Sequence, residues 1–467
     1  MGHVVVLHAL CRLELLLAGG DLVTALTEAQ TTLRAIGDRR FGPVLHRPLL
    51  DVHDRRLRTL ASQLVTSTLD PWQAFDVAER VRAGVSHHPP TRAARHPALA
   101  DRLTQIRFLT RAIGMTSRDD PEWDSLHRQL EQMRREAALL GWVEQAQPPT
   151  DPWPLAERLG ARALIAFTEA WDGLLLVVLV DHEAFVTRLG DAERCFEGVR
   201  QLHADLAAVA PDNLPTPLAD AISTAVQRRA AWLDEVLVRP LADRIADRDL
   251  VVLPTGALYP LPWTTLPSLR GRAVVVSPSA TAWVERHDDN RQENGRVVIV
   301  VGPHAASDVA ALPRHHSHAD LFAGRLARAE DVLSAMEGAS LVHLAVWGVH
   351  RPENTAFSAV RLHDRVIYAH EVGDLKQPPG VVLLDGEDLR PGDAGSGEEV
   401  FGFAGGLIKA GVRSVVVAAA RTGARTGADA VREFHTAIAR GESPARAVAA
   451  INARNPLRRT FLCIGYG

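Results

Sequence analysis

Residues 341–346 read Leu-Val-His-Leu-Ala-Val and residues 381–384 read Val-Val-Leu-Leu. Both runs are short and almost wholly apolar. A strand with one wet face alternates polar with apolar residues; a strand covered on both faces does not. Five more such runs flank them: Leu250–Leu253, Ala273–Val276, Val297–Val301, Ser414–Ala418 and Thr460–Ile464. Helical patterns separate the runs. Over residues 250–467 this predicts an α/β fold, a mainly parallel sheet sandwiched between helices. Working residues in such sheets sit just beyond the strands' carboxyl ends. Here those positions follow Val346 and Leu384.

Upstream the pattern differs. Arg162–Phe167, Leu174–Val180 and Ala184–Leu189 are β-rich runs separated by Trp171-Asp172-Gly173 and Asp181-His182, which predicts an antiparallel meander. Two long helices, about Ala192–Ala210 and Pro217–Ile245, complete a unit spanning 148–249. Pro148-Pro149-Thr150-Asp151-Pro152 marks its start.

Residues 1–147 read as helices throughout. Leu13, Leu16 and Leu17, then Leu22, Ala25 and Leu26, recur at three- and four-residue spacing. Gly19-Gly20-Asp21 and Ile36-Gly37-Asp38 supply helix-end and helix-start signals. The grammar is that of paired-helix repeats, tetratricopeptide-like but without a clear period. Helical signals continue through Trp72–Ala83 and Leu126–Leu140, with a breaker-rich loop at His87-His88-Pro89-Pro90-Thr91-Arg92.

The chain has 467 residues, 46% hydrophobic and 23% charged, which suits two or three globular domains. A formal net charge of -4 argues against a nucleic-acid or membrane-surface binder, since those carry a basic face. The three cysteines, Cys11, Cys195 and Cys463, are far apart and lack metal-site spacing, the pattern of a reducing, cytoplasmic location. The apolar N-terminus is interrupted by His3, His8, Arg12 and Glu14 and reads as an amphipathic helix, not a signal peptide. No apolar run is long enough to span a membrane.

Several blocks carry a family resemblance when taken in order. They are LVVLPTGALYPLPWTTLPSLRG (250–271), VVVSPSATAW (274–283), VVIVVGP (297–303), SLVHLAVWGVHRPENTAFSAVRLHDRVI (340–367), GVVLLDGEDLRPG (380–392), GEEVFGFAGGLIKAGVRSVVVAA (397–419), DAVREFHTAIARGESPARAVAA (429–450) and FLCIGYG (461–467). Together they resemble the CHAT domain, a caspase-like peptidase domain found with tetratricopeptide repeats. The resemblance implies a caspase-like α/β/α sandwich over 250–467, preceded by the meander and the all-α, TPR-like region.

The family's chemistry is thiol proteolysis, in which a histidine at one strand end activates a cysteine at the end of the next. The resemblance places the histidine in Ala345-Val346-Trp347-Gly348 and the cysteine in Leu383-Leu384-Asp385-Gly386-Glu387. Trp347 has an indole that donates and cannot take a proton near neutral pH. Gly386 has no side chain. No catalytic residue is therefore expected, and the domain reads as a pseudo-peptidase. Gly348, His350, Asp385, Glu387, Asp388 and Glu398 remain as candidates for lining the vacated cleft. Asp385, Glu387, Asp388 and Asp393 read first as a solvated acidic rim; acids bordering this cleft favour basic side chains in relatives, so if the cleft binds peptides an Arg- or Lys-bearing ligand is implied.

Other features weigh less. His343 reads as a buried structural histidine, and His350 is the nearest stand-in base. Cys195 and Cys463 read as packing residues. Arg314-His315-His316-Ser317-His318 reads as an exposed loop, since histidines this close in sequence rarely converge on a metal. Gly392–Gly397 lacks the Gly-Lys-Ser/Thr ending of a phosphate loop, and Ser277-Pro278-Ser279 has no His-Asp partners. No cofactor and no metal are expected. The expected role is binding to a protein or peptide partner, an active peptidase being one candidate, with no nucleic acid and no membrane. An enzyme using non-standard residues of the same cleft, such as Asp385, Glu387 and His350, is the alternative.

Overall fold

The computed structural model describes residues 70–86, 97–116, 120–141, 155–170, 173–287, 295–303, 307–349, 357–386, 389 and 401–467, with a few positions between 11 and 24. The helix-hairpin signals at Gly19–Asp21 and Ile36–Asp38 lie largely outside the described residues, as do the loops at 87–92 and 392–397 and the boundary at 148–152.

After the few positions between 11 and 24, the described residues continue with α1 (Pro71–Ser86), α2 (Pro97–Met115), α3 (Pro121–Gly141) and the short α4 (Leu155–Leu159). Strands β1 (Ala163–Ala170), β2 (Gly173–Val180) and β3 (Glu183–Arg188) form the expected meander. Asp181 and His182 both take left-handed backbone conformations, the geometry of a two-residue hairpin whose twist matches its strands. Next come α5 (Ala192–Val209) and α6 (Thr216–Leu237). Asp191 caps α5 by accepting from the amides of Glu193 and Arg194. The second helix was expected to run to Ile245; it ends at Leu237, and Pro240 falls in a 3₁₀ turn at Arg239–Leu241. Proline's missing N–H and its ring disfavour a continuing helix there.

All seven apolar runs after residue 250 are strands: β4 (Leu250–Leu253), β5 (Val274–Val276), β6 (Val297–Val301), β8 (Leu341–Ala345), β12 (Val381–Asp385), β13 (Ser414–Ala418) and β14 (Phe461–Gly465). The structure adds an edge strand, β7 (Ala319–Ala323), and three short ones, β9 (Trp347–Val349), β10 (Ala359–Arg361) and β11 (Val366–Tyr368). The later helices are α7 (Ala280–His287), α8 (Ala329–Met336), α9 (Ala369–Gly373), α10 (Gly402–Lys409), α11 (Ala424–Ala439) and α12 (Pro444–Arg454).

Eleven strands make one sheet in the order β3-β2-β1-β4-β5-β14-β13-β12-β8-β6-β7. Pairing is parallel except within the meander and at β13/β14. The meander thus extends the main sheet, because β1 pairs in parallel with β4 (Ala163↔Leu250 through Ala166↔Leu253). That pairing joins segments far apart in the sequence and left no local signal.

Alternate strand residues feed two separate cores. One face carries Phe167, Val252, Val300, Leu344 and Leu384 against α5, α6 and α10. The other carries Leu164, Ile299, Leu341, Leu383 and Cys463 against α1, α7, α11 and α12. Helix α1 is tied to this second face by Glu79, which is buried and accepts from the amide and hydroxyl of Thr281 at 2.8 and 3.1 Å. Arg82 pairs with Glu79 at 3.3 Å and donates to the carbonyl of Phe167 at 2.6 Å.

Helices α2 and α3 pack together and cover a second sheet, ordered β11-β10-β9. Their shared core holds Leu103, Ile106, Leu109, Leu130, Phe357 and Tyr368. The Tyr368 hydroxyl lies 2.8 Å from Thr110 Oγ1 and accepts from Arg134 at 2.8 Å.

Candidate functional site

The carboxyl ends of β6, β8 and β12 meet where the fold class places its working residues. Their backbones are pinned together. The Gly302 amide donates to the Ala345 carbonyl at 2.8 Å, and the Val346 amide donates to the Asp385 carbonyl at 2.9 Å.

Trp347 stands at the position the resemblance assigns to the histidine. It leaves the main sheet and starts β9, paired with Arg361 of β10. Trp347 is 41% exposed, a large aromatic residue open to solvent at a strand end. Gly348 is buried in the same short strand, opposite Val360.

Gly386 follows the last residue of β12 with φ of +156°. A Cβ there would overlap the carbonyl oxygen of Val346 and approach Leu389 Cδ1 at 3.4 Å. The peptide of the neighbouring strand end therefore occupies the volume a cysteine side chain would need. Gly386 is the position the resemblance assigns to the cysteine, and the backbone around it leaves no room for a side chain.

Asp385 is the carboxylate these elements present, with its side chain 39% exposed. Behind it lies His343, fully buried, with Nε2 3.7 Å from Asp385 Oδ2. That distance suits an ion pair but exceeds a hydrogen bond, and among the described residues His343 Nε2 has no hydrogen-bond partner. His343 Nδ1 lies 3.0 Å from His435 Nε2 on α11, and His435 Nδ1 lies 2.8 Å from His316 Nε2. Three imidazoles thus form a line from Asp385 to the loop before β7. Burial, then the neighbouring His343, His316 and His315, push the His435 pKa down to about 2. Burial, then His315, also lowers that of His316.

This corrects the reading of Arg314–His318 as an exposed loop: Ser317 and His318 are exposed, but His316 turns inward onto α11. His343 is buried as expected, and it also has a role in contact that its strand position did not show. His435 was not anticipated. Its only local signal is its place beside Val431 and Phe434 on the buried face of an amphipathic helix. His350, Glu387, Asp388 and Glu398 lie outside the described residues.

The described thiols are poor nucleophile candidates in this region. Cys463 lies inside β14, and burial pushes its pKa up to about 12. Cys195 is on the buried face of α5, where burial and then Asp191 push its thiol up to about 11. Each is overwhelmingly thiol near neutral pH, while the thiolate is the reactive form. Among the described residues no three His, Cys, Asp or Glu side chains converge to hold a metal, and no helix is long and apolar enough to cross a membrane.

The comparisons with known proteins bear on the fold. Residues 227–455 match the family model of the CHAT domain. Two solved structures of the Saccharomyces cerevisiae separase–securin complex share its fold. One superposes with a TM-score of 0.54 at 10% identity, covering 95% of this chain and 37% of that chain. The other gives 0.53 at 9% identity, covering 96% and 38%. The chain therefore spans well under half the length of the proteins it resembles, and the likeness is one of fold. No curated protein matches the chain.

Proposed function

We propose that this chain is a catalytically silent, peptidase-shaped binding protein whose cleft at the ends of β8 and β12 receives a segment of a protein partner. The observation that carries this reading is the backbone at Gly386. Hydrolysis by the family's route needs a thiolate and a base facing one substrate carbonyl. The Val346 carbonyl fills the thiol's place, and Trp347 stands where the base would be. Further support comes from the burial of Cys195 and Cys463 and from the CHAT match itself.

Asp385 gives the cleft its chemical preference. A partly exposed carboxylate at a strand end attracts an Arg or Lys side chain, and arginine makes the stronger, two-pronged pair. The separase structures hold a protein partner, securin, which fits a binding role for this fold without naming a partner here. Service as a regulatory partner of an active peptidase in the cytoplasm extends the same reading.

The test pairs turnover with binding. Purified full-length protein should leave peptide libraries uncut while binding a subset rich in Arg or Lys, and Asp385→Asn should weaken that binding. Cleavage of any library member, abolished by Asp385→Ala, would instead establish an enzyme.

A further inference from the structure

The line of histidines crosses the helix-covered face of the sheet, and its parts come from four separate elements. Asp385 ends β12, His343 lies within β8, His435 projects from α11, and His316 precedes β7. The titratable groups facing it are Asp385 at one end and His315 beside His316 at the other, where His315 Nδ1 lies 3.5 Å from Thr436 Oγ1.

Electrostatics orders the protons along this line. A neutral imidazole carries one N–H and one lone pair. With Asp385 ionised, the ring nitrogen facing it, His343 Nε2, must carry hydrogen; a lone pair there would oppose the carboxylate. His343 Nδ1 is then an acceptor and takes the Nε2–H of His435. By the same step His435 Nδ1 accepts from the Nε2–H of His316. One carboxylate thereby sets the tautomer of three rings, the last of which is partly exposed.

We propose that His316, His435 and His343 form a proton-conducting chain linking solvent beside His316 to Asp385 in the cleft. A proton arriving on His316 Nδ1 lets its Nε2 proton pass to His435 Nδ1. The His435 Nε2 proton then passes to His343 Nδ1. The His343 Nε2 proton moves to the Asp385 carboxylate, which turns to close the 3.7 Å gap. One proton enters at His316, one reaches Asp385, and all three rings end neutral with their tautomers reversed. The unpartnered Nε2 of a wholly buried histidine, aimed at a movable carboxylate, is the feature that a merely structural histidine does not need. This holds whether or not the cleft binds a basic peptide.

Nitrogen NMR on full-length protein with ring-labelled histidine tests the chain directly. In the unaltered protein, couplings across His316–His435 and His435–His343 are expected, with hydrogen on His343 Nε2. Asp385→Asn should lower the His316 titration midpoint by about half a pH unit or more, because the proton loses its distant anion. In a folded His435→Phe background, the same Asp385→Asn change should leave His316 unmoved. Missing couplings, or hydrogen on His343 Nδ1 with Asp385 ionised, would overturn the proposal without a variant. So would an Asp385 effect that survives the loss of His435, since it would be acting through space.

Discussion

The carbonyl oxygen of Val346 occupies the position from which a side chain on Gly386 would grow, while the Val346 amide donates to Asp385 at 2.9 Å. The backbone of one residue, through its two successive peptide groups, therefore both locks the two strand ends and closes the space a side chain on Gly386 would use. Reversing the two missing residues does not reverse this arrangement.

Substituting Gly386→Cys together with Trp347→His is accordingly expected to restore no peptidase activity. Gly386→Ala alone, which adds only the Cβ, should destabilise the fold by roughly 2–3 kcal/mol, as the Val346 peptide must shift to admit it. Denaturant unfolding measures the loss, and a change within error of zero would show that the strand end yields freely.

Tyr368 joins the helical pair to the small sheet that bears Trp347. Tyr368→Phe removes the hydroxyl shared by Thr110 and Arg134 and leaves the ring packing in place. A loss of about 1–3 kcal/mol is expected, since the arginine bond is charge-assisted. Hydrogen exchange should show it as faster opening of residues 97–141 before the main sheet is affected.

Glu79 anchors α1 through Thr281 and Arg82. Glu79→Ala strands a guanidinium whose side chain is only 8% exposed, and such uncompensated burial costs about 3–5 kcal/mol. The double variant Glu79→Ala, Arg82→Leu should recover part of that loss in urea unfolding, because no buried charge is then left unpaired.

His435 supplies a pH dependence of definite sign. Its pKa is near 2 in the fold against an ordinary value of 6.5, so the unfolded chain takes up a proton that the folded chain refuses. Its contribution is intact above pH 6.5 and is lost as pH falls toward about 2. Between pH 6.5 and 5 the loss from this group should be about 2 kcal/mol, at 1.36 kcal/mol per unit. The stability of a His435→Phe variant should depend less steeply on pH over that interval; an unchanged slope would mean that the folded ring takes up a proton as readily as the unfolded one.

Most of the strands were legible in the sequence because a doubly covered strand writes its burial locally. Leu341–Val346 and Val381–Leu384 could only be buried runs, and their order with the helices between them implied a parallel sheet. The short β9–β11 strands escaped notice, since three residues hold too little alternation to register. The union of the meander with the main sheet escaped for another reason: β1 and β4 meet across two intervening strands and two long helices.

The site divides in the same way. Chemical identity is a property of the sequence, so it was legible there that Trp347 and Gly386 stand at the positions the resemblance assigns to the histidine and the cysteine. Distance and exclusion belong to the tertiary structure. Only the folded backbone brought the Val346 carbonyl into the Gly386 side-chain space, and only packing drew His316, His343 and His435 into one line behind Asp385. Those contacts join residues as far as 119 positions apart in the chain, and no local pattern of hydrophobicity or spacing can encode which distant side chains will share a buried hydrogen bond.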